Sequence, residues 1–164
     1  MRQLDLRLLR AMRTTGHSAG VENAARALGK AGNHGAIWLA LGLLLAAVDG
    51  SDREAWVICA ALGPVAIALN YLVKLVVRRP RPVLEGLPPL GGAPSSLSFP
   101  SAHATSSFAV ATAMTRVEPL GALAFLLALA IAFGRPYLGM HYPSDVAVGA
   151  VLGVALGLLV PLSI

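Results

Sequence analysis

Five apolar runs, separated by short polar or basic segments, constrain this chain more than any other feature. They cover residues 34–48, 56–77, 99–115, 119–133 and 145–164. A bilayer is crossed by about 20 apolar residues, so the shorter runs need flanking residues to complete a span. Because 56% of the residues are apolar and the mean hydropathy is +0.70, a soluble domain is excluded. The pattern predicts an all-α integral membrane bundle of about five transmembrane helices.

The first 33 residues differ from the rest because they are basic and amphipathic. Leu4, Leu8 and Leu9 recur at helical spacing among arginines, and a second amphipathic segment follows Gly16. This pattern is typical of helices that lie on a membrane surface. For the second segment, a loosely ordered basic arm is the alternative. We therefore divide the chain into a basic interfacial segment (1–33) and a membrane-embedded domain (34–164).

The net charge of +5 raises the question of which acidic partner the chain meets. Nucleic-acid binding usually combines basic stretches with interleaved aromatic residues, and no such stretch is present in the sequence. Anionic lipid head groups and phosphate-bearing substrates are the partners that this composition favours. The sequence does not determine the oligomeric state.

Polar residues concentrate in three clusters, of which residues 134–145 (GRPYLGMHYPSD) are the densest. If a helix begins near His141, Asp145 lies one turn further on the same face, where it can hold one ring nitrogen and leave the other free to attack. Arg135 offers a planar fork of donors that suits a phosphate. These residues indicate phosphoryl chemistry. A polar loop with a capping Asp145 and a structural His141 is the alternative.

The other two clusters flank a loop rich in Pro, Gly and Ser at 83–98, which we expect at the surface, where it shapes the substrate entrance. Residues 74–82 (KLVVRRPRP) place Lys74 at a helix end and Arg81 beyond a proline. A basic helix end that only contacts lipid head groups is the alternative. Residues 99–107 (FPSAHATSS) begin a helix, where the amides of Ser101, Ala102 and His103 can face an anion. An ordinary Ser cap with an incidental histidine is the alternative. Five crossings put all three clusters on one membrane face.

Taken together, the clusters resemble the conserved blocks of the type 2 phosphatidic acid phosphatase superfamily, which includes vanadium haloperoxidases. The first block is a Lys, six residues and Arg-Pro, which is matched by Lys74 and Arg81-Pro82. The second is Pro-Ser-Gly-His, which is matched at 100–103 with Ala102 in place of Gly.

The third block of the family is Ser-Arg, five residues, His, three residues and Asp. It is matched by Arg135, His141 and Asp145, with Gly134 in place of Ser. The blocks follow the family order, and the resemblance extends from about residue 72 to the end. A methyl group at Ala102 is strained only if the family Gly uses a positive φ, and Gly134 removes a hydroxyl that can hold phosphate. We expect these two departures to alter affinity or preference while the reaction is kept.

The resemblance implies a metal-independent phosphatase that forms a phosphohistidine. In that reading His141 is the nucleophile, Asp145 orients it, and His103 is the general acid and base. The phosphate ligands are Lys74, Arg81, Ser101, Ala102 and Arg135. No cofactor is implied. A vanadate-dependent peroxidase and a non-catalytic membrane scaffold are the alternatives from other classes.

The side of the membrane follows from the distribution of cations. Eleven of the 13 Lys and Arg residues fall on the predicted site face, whereas Arg53 and Arg116 lie on the opposite face. When the three predicted phosphate ligands among the eleven are left out, eight cations still face these two. The positive-inside rule therefore predicts an active site on the cytoplasmic face of the plasma membrane. Likeness to short actinobacterial members of the family implies a decaprenyl-linked phosphoribose 5-phosphate as substrate. Phosphatidylglycerophosphate or a prenyl (pyro)phosphate is the alternative.

Overall fold

The computed structural model describes residues 2–91 and 97–162, and its long elements are all helices. They are α1 (Arg2–Thr14), α2 (Ala19–Ala31), α3 (Ala36–Val48), α4 (Arg53–Val77), α5 (Ala102–Val117), α6 (Ala124–Tyr137) and α7 (Pro143–Leu159). Short 3₁₀ turns at Asn33–Gly35 and Pro119–Leu123 lead into α3 and α6. Each of the five apolar runs overlaps one helix from α3 to α7, so the predicted all-helical fold is confirmed.

Several of these helices are suited to a membrane. Two segments in the described part of the chain, Arg53–Val77 and Pro119–Tyr137, are long and apolar enough to cross one. A third is added if α2 and the segment Asn33–Val48, which meet at a bend of 56°, form one broken span, and α7 is a shorter apolar helix. Large apolar side chains such as Val76, Leu126 and Val151 point outward from the bundle. This is a helical membrane bundle, and the number of five crossings stays a prediction.

Helix α5 lies at the centre of the bundle and packs against α4, α6 and α7. Its contact with α7 is close because glycines recur every fourth residue of α7. A Cβ atom at Gly153 would lie 2.4 Å from the Thr105 carbonyl oxygen, and one at Gly149 would lie 2.7 Å from that of Ser101. Small residues at these positions let the two helix backbones approach each other closely. This close approach also brings the first turns of α5 and α7, which carry two of the three polar clusters, side by side.

The first two helices pack against α6. Ser18 caps α2 by accepting a hydrogen bond from the amide of Val21, and the second segment is therefore a helix and not a loose arm. In α1, Leu9 is completely buried whereas Leu4 is 61% exposed. This outward apolar residue fits the predicted interfacial helix, and the division of the chain at residue 33 stays a prediction.

Three local features differ from the sequence-based expectations. Helix α7 begins at Pro143 and not near His141, because proline fits the first helical position, where its missing N–H costs nothing. Helix α6 extends to Tyr137, so that Arg135 is helical. The loop at 83–98, of which residues 92–96 lie outside the described residues, is not wholly at the surface, because Ser98 is completely buried.

Candidate active site

His141 and Asp145 are both buried at the N-terminal end of α7, with 2% and 0% of their surface exposed. Nδ1 of His141 lies 3.6 Å from Oδ2 of Asp145, an ion-pair distance. On the other side of the ring, Nη1 of Arg81 lies 3.2 Å from Nε2. Since arginine only donates, Nε2 is the acceptor and the ring proton belongs on Nδ1, facing Asp145.

The charge state of His141 follows from its surroundings. Burial lowers the pKa of this imidazole, Asp145 opposes that shift, and the charges of Arg81 and Arg135 reinforce it. The ring is therefore neutral at neutral pH, with the lone pair of Nε2 directed at Arg81. A neutral imidazole held in this tautomer is a competent nucleophile.

The first cluster reaches the same site because α4 ends abruptly. Arg78 adopts a left-handed conformation with φ of 52° and turns the chain back. Arg81 then donates to the carbonyl of Met140 at 2.6 Å, next to His141. Lys74, in the last turn of α4, donates to the carbonyl of Leu97 at 2.6 Å.

The second cluster contributes the buried hydroxyl of Ser101 and the ring of His103. Ser101 Oγ has no hydrogen-bond partner among the described residues. The predicted amide cradle is partly wrong, because the Ser101 amide donates to the backbone carbonyl of Asp145 at 3.0 Å. The amides of Ala102 and His103 remain in the first helical turn, where no earlier carbonyl of the helix reaches them.

His103 is held by a part of the chain that no motif predicted. Its Nε2 lies 2.9 Å from the carbonyl oxygen of Gly29 in α2, so this nitrogen carries a proton. A Cβ atom at Gly32 would lie 3.0 Å from Cδ2 of the same ring. Helix α2 thus covers one edge of the imidazole and leaves Nδ1 on the opposite edge.

Arg135 adds a buried cation beside this histidine. It is 5% exposed, and a Cβ atom at Gly29 would lie 2.6 Å from its Nη1. Within residues 2–91 and 97–162, neither Arg135 nor the equally buried Lys74 forms an ion pair with a carboxylate. Buried cations without partners are costly. The site is therefore built for an anion.

The two departures from the family pattern are accommodated locally. Ala102 is not among the described non-glycine residues with positive φ, which are His34 and Arg78, so its methyl group causes no backbone strain. A Cβ atom at Gly134 would meet Ala25 of α2 at 3.6 Å, an ordinary contact. A side chain at 134 therefore points towards α2.

Sequence reasoning missed several residues that support the site. The hydroxyl of Ser98 donates to Oδ2 of Asp145, and Arg79 donates to Oδ1 at 2.7 Å. Arg79 was visible as one cation of a basic helix end, but nothing distinguished it from Arg78. Gly29 carried no signal, because every residue offers a backbone carbonyl.

A cavity of about 390 Å³ opens next to Arg135. Its lining includes two cations of α2, the cation Arg135 of α6, and the apolar residues Leu138 and Met140 that follow α6. The lining residues are Arg26, Gly29, Lys30, Asn33, Gly91, Arg135, Leu138 and Met140. Arg26 is paired with Glu22 at 2.9 Å, whereas Lys30 is exposed. Nowhere in the described parts of the chain do three or more His, Cys, Asp or Glu side chains group as metal ligands would.

Comparison with known proteins identifies the class. A sequence model of the PAP2 superfamily matches residues 54–164, and the chain belongs to this superfamily. The resemblance read from the three motifs is thereby confirmed. The decaprenylphosphoryl-5-phosphoribose phosphatase of Mycobacterium tuberculosis is 43% identical over 141 residues, which cover 86% of this chain and 79% of that protein.

Solved structures agree with this assignment. Aquifex aeolicus LpxE superposes with a TM-score of 0.76 at 27% identity, covering 95% of this chain and 93% of that one. The transmembrane PAP2 type phosphatidylglycerolphosphate phosphatase of Bacillus subtilis has a TM-score of 0.75 at 23% identity and covers 96% of this chain and 83% of that one. The latter shares the fold.

Proposed function

We propose that this protein is a metal-independent lipid phosphate phosphatase that works through a phosphohistidine at His141. The observation that carries the proposal is the orientation of that ring, with Nδ1 towards Asp145 at 3.6 Å and Nε2 towards Arg81 at 3.2 Å. A phosphate bound by Arg81 lies next to the lone pair of Nε2. Asp145 stabilises the positive charge that forms on the ring when Nε2 bonds to phosphorus.

In the first step, Nε2 of His141 attacks phosphorus while the bond to the leaving oxygen breaks. His103 enters this step protonated on both ring nitrogens. Because its Nε2–H is held by the carbonyl of Gly29, it gives the leaving oxygen the proton of Nδ1 and becomes neutral. In the second step, His103 takes a proton from water, the water oxygen bonds to phosphorus, and the bond to His141 breaks. Free phosphate leaves and both histidines return to their starting state.

The phosphate ligands neutralise charge on the three non-reacting oxygens. Lys74, Arg81 and Arg135 supply cations, and the hydroxyl of Ser101 is buried without another partner in the described chain. The amides at the start of α5, at Ala102 and His103, add donors. Preorganised donors of this kind stabilise a phosphoryl-transfer transition state without moving during the reaction.

The decisive experiment measures phosphate release by the purified protein in detergent. We expect turnover in excess EDTA, a ³²P label trapped on His141 during turnover, and no label or turnover in His141→Ala. The folded state of that variant is checked by its thermal unfolding. Strict dependence on added Mg²⁺, or full activity of His141→Ala, contradicts the mechanism.

For the substrate, we propose a decaprenyl-linked phosphoribose that carries a 5-phosphate, with phosphatidylglycerophosphate or a prenyl (pyro)phosphate as the alternative. The Mycobacterium tuberculosis relative bears the name of the first activity. The 390 Å³ cavity beside Arg135 supports a head group with a second phosphate, since Lys30 and Arg26 lie on its α2 side. Comparing kcat/KM across these lipids and phosphatidic acid, which lacks a second phosphate, tests this choice.

We further propose that the site faces the cytoplasm in the plasma membrane, on the strength of the cation distribution. With five crossings, the C-terminus is then outside. A reporter fused after Ile164 is expected to behave as external. Cytoplasmic activity of that reporter contradicts the orientation and leaves the chemistry unaffected.

A further inference from the structure

We propose that Asp5 and Arg79 are positioning residues for the nucleophile, acting through Asp145. This inference rests on the proposed function, because it takes His141 as the nucleophile. It extends that function to α1, which lies outside the part of the chain that the superfamily match covers, residues 54–164.

Arg79 is fixed between two carboxylates. Its Nη1 lies 2.7 Å from Oδ1 of Asp145, and its Nη2 lies 2.8 Å from Oδ2 of Asp5. The guanidinium also stacks on the ring of Tyr142, with 3.9 Å between its central carbon and the ring centroid. The two edges and one face of the group are therefore occupied, which leaves Arg79 little freedom to move.

Asp5 holds the outer end of this arrangement and is itself 5% exposed. The amide of Ser144 donates to Oδ1 at 3.0 Å, and the hydroxyl of Ser144 donates to Oδ2 at 2.6 Å. Burial raises the pKa of Asp5, but the hydrogen bonds from Ser144 and Arg79 outweigh it and lower the pKa below its usual value. An ionised Asp5 thus ties α1 to both Arg79 and the first turn of α7.

The arrangement fixes which oxygen of Asp145 faces the nucleophile. Arg79 binds Oδ1, so the other oxygen, Oδ2, is the one that lies next to Nδ1 of His141. The amide of Tyr142 also donates to Oδ2, at 2.9 Å. Asp145 is completely buried, and loss of the Arg79 side chain would leave this buried negative charge without its arginine counter-ion, which is energetically costly. Asp5 and Arg79 act on the reaction only through this carboxylate.

The test compares Arg79→Gln and Asp5→Asn with Arg78→Gln, a matched control on the adjacent exposed arginine. Loss of an outer-shell partner of a metal-ligating histidine typically costs 10- to 100-fold in affinity or activity, and we take the same range for the partners of this carboxylate. We expect kcat to fall about 100-fold in Arg79→Gln and about 10-fold in Asp5→Asn, with KM unchanged. The control should keep wild-type kcat.

A pH profile separates positioning from a merely structural role. Removing the cation at 79 favours protonation of His141, so the acid limb of the kcat profile should move to higher pH in Arg79→Gln. Asp5→Asn removes an anion, so the acid limb of its kcat profile should move to lower pH. Profiles that coincide with wild type, with kcat as high as in the control, overturn the proposal.

The double variant Asp5→Asn/Arg79→Gln covers the case in which a single change unfolds the protein, since it leaves no lone charge at positions 5 and 79. If Asp5 acts through Arg79, the double variant has the kcat of Arg79→Gln alone. Independent, multiplied losses contradict the proposal. Wild-type phosphate release and its loss in His141→Ala are measured in parallel, so that a failure of the proposed function is recognised separately.

Discussion

The two histidines of the site are held in opposite ways. His141 faces Asp145, four residues further along the same segment, whereas His103 is held by the carbonyl of Gly29, 74 residues away in α2. The carboxylate partner of the proposed nucleophile therefore comes from a short local motif. The proposed general acid and base is held by a helix from another part of the chain.

The first 33 residues are therefore part of the candidate site. Helix α2 contacts His103 and lines the cavity beside Arg135, and α1 reaches Asp145 through Arg79. The sequence of this segment predicts helices on the membrane surface, but in the structure α2 contacts His103 and α1 supports the carboxylate that faces His141.

The largest effect is expected from exchanging each histidine for Gln. His141→Gln removes the nucleophile and should lower kcat by about 10⁴-fold or more for every substrate. His103→Gln should cost about 10²- to 10⁴-fold for lipid substrates, but much less for p-nitrophenyl phosphate, whose leaving group needs no proton. Steady-state phosphate release with both substrates measures this difference. Equal losses for His103→Gln with the two substrates argue against an acid role.

A second prediction concerns the contact of α2 with the site. In Gly29→Ala the new methyl group lies 2.6 Å from Nη1 of Arg135, so either this cation or the carbonyl that holds His103 must move. We expect kcat/KM to fall about 10-fold, as for loss of an outer-shell contact. Gly20→Ala is the matched control, because a Cβ atom there meets nothing within 4 Å. Similar activities of the two variants would show that α2 does not position His103.

A smaller effect is expected at Lys30, which lines the cavity on the same helix. Lys30→Gln should lower kcat/KM about fivefold for phosphatidylglycerophosphate, as is reasonable for an exposed charge. It should leave phosphatidic acid unaffected. Arg7→Gln, an exposed cation of α1, is the control for a general loss of positive charge. A uniform loss across both lipids speaks against a second phosphate in the cavity.

The smallest effect is expected from restoring the family serine in Gly134→Ser. The Cβ atom would meet Ala25 at 3.6 Å, an ordinary contact, and the side chain would point towards α2. We expect kcat and KM to stay within about twofold, as for a tolerated substitution. A large gain in affinity for phosphate would instead show that the hydroxyl reaches the substrate.

Much of this molecule follows from its sequence. Hydropathy locates α3 to α7, because apolar runs in a membrane satisfy their backbone groups as helices. The spacings of Lys74, Arg81, Ser101, His103, Arg135, His141 and Asp145 match the blocks of the superfamily, and the family match over residues 54–164 confirms that assignment. The pairing of His141 with Asp145 was predictable since it is local, although the start of α7 was placed two residues too early.

Only the tertiary structure decided which neighbours those side chains have. The carbonyl of Gly29 on His103, the amide of Ser101 on Asp145 and the choice of Arg79 over Arg78 depend on how distant helices pack. A backbone carbonyl or one of two adjacent arginines has no distinctive sequence signal. Composition and spacing therefore determine the chemical groups available to this protein, and close helix packing determines their orientation.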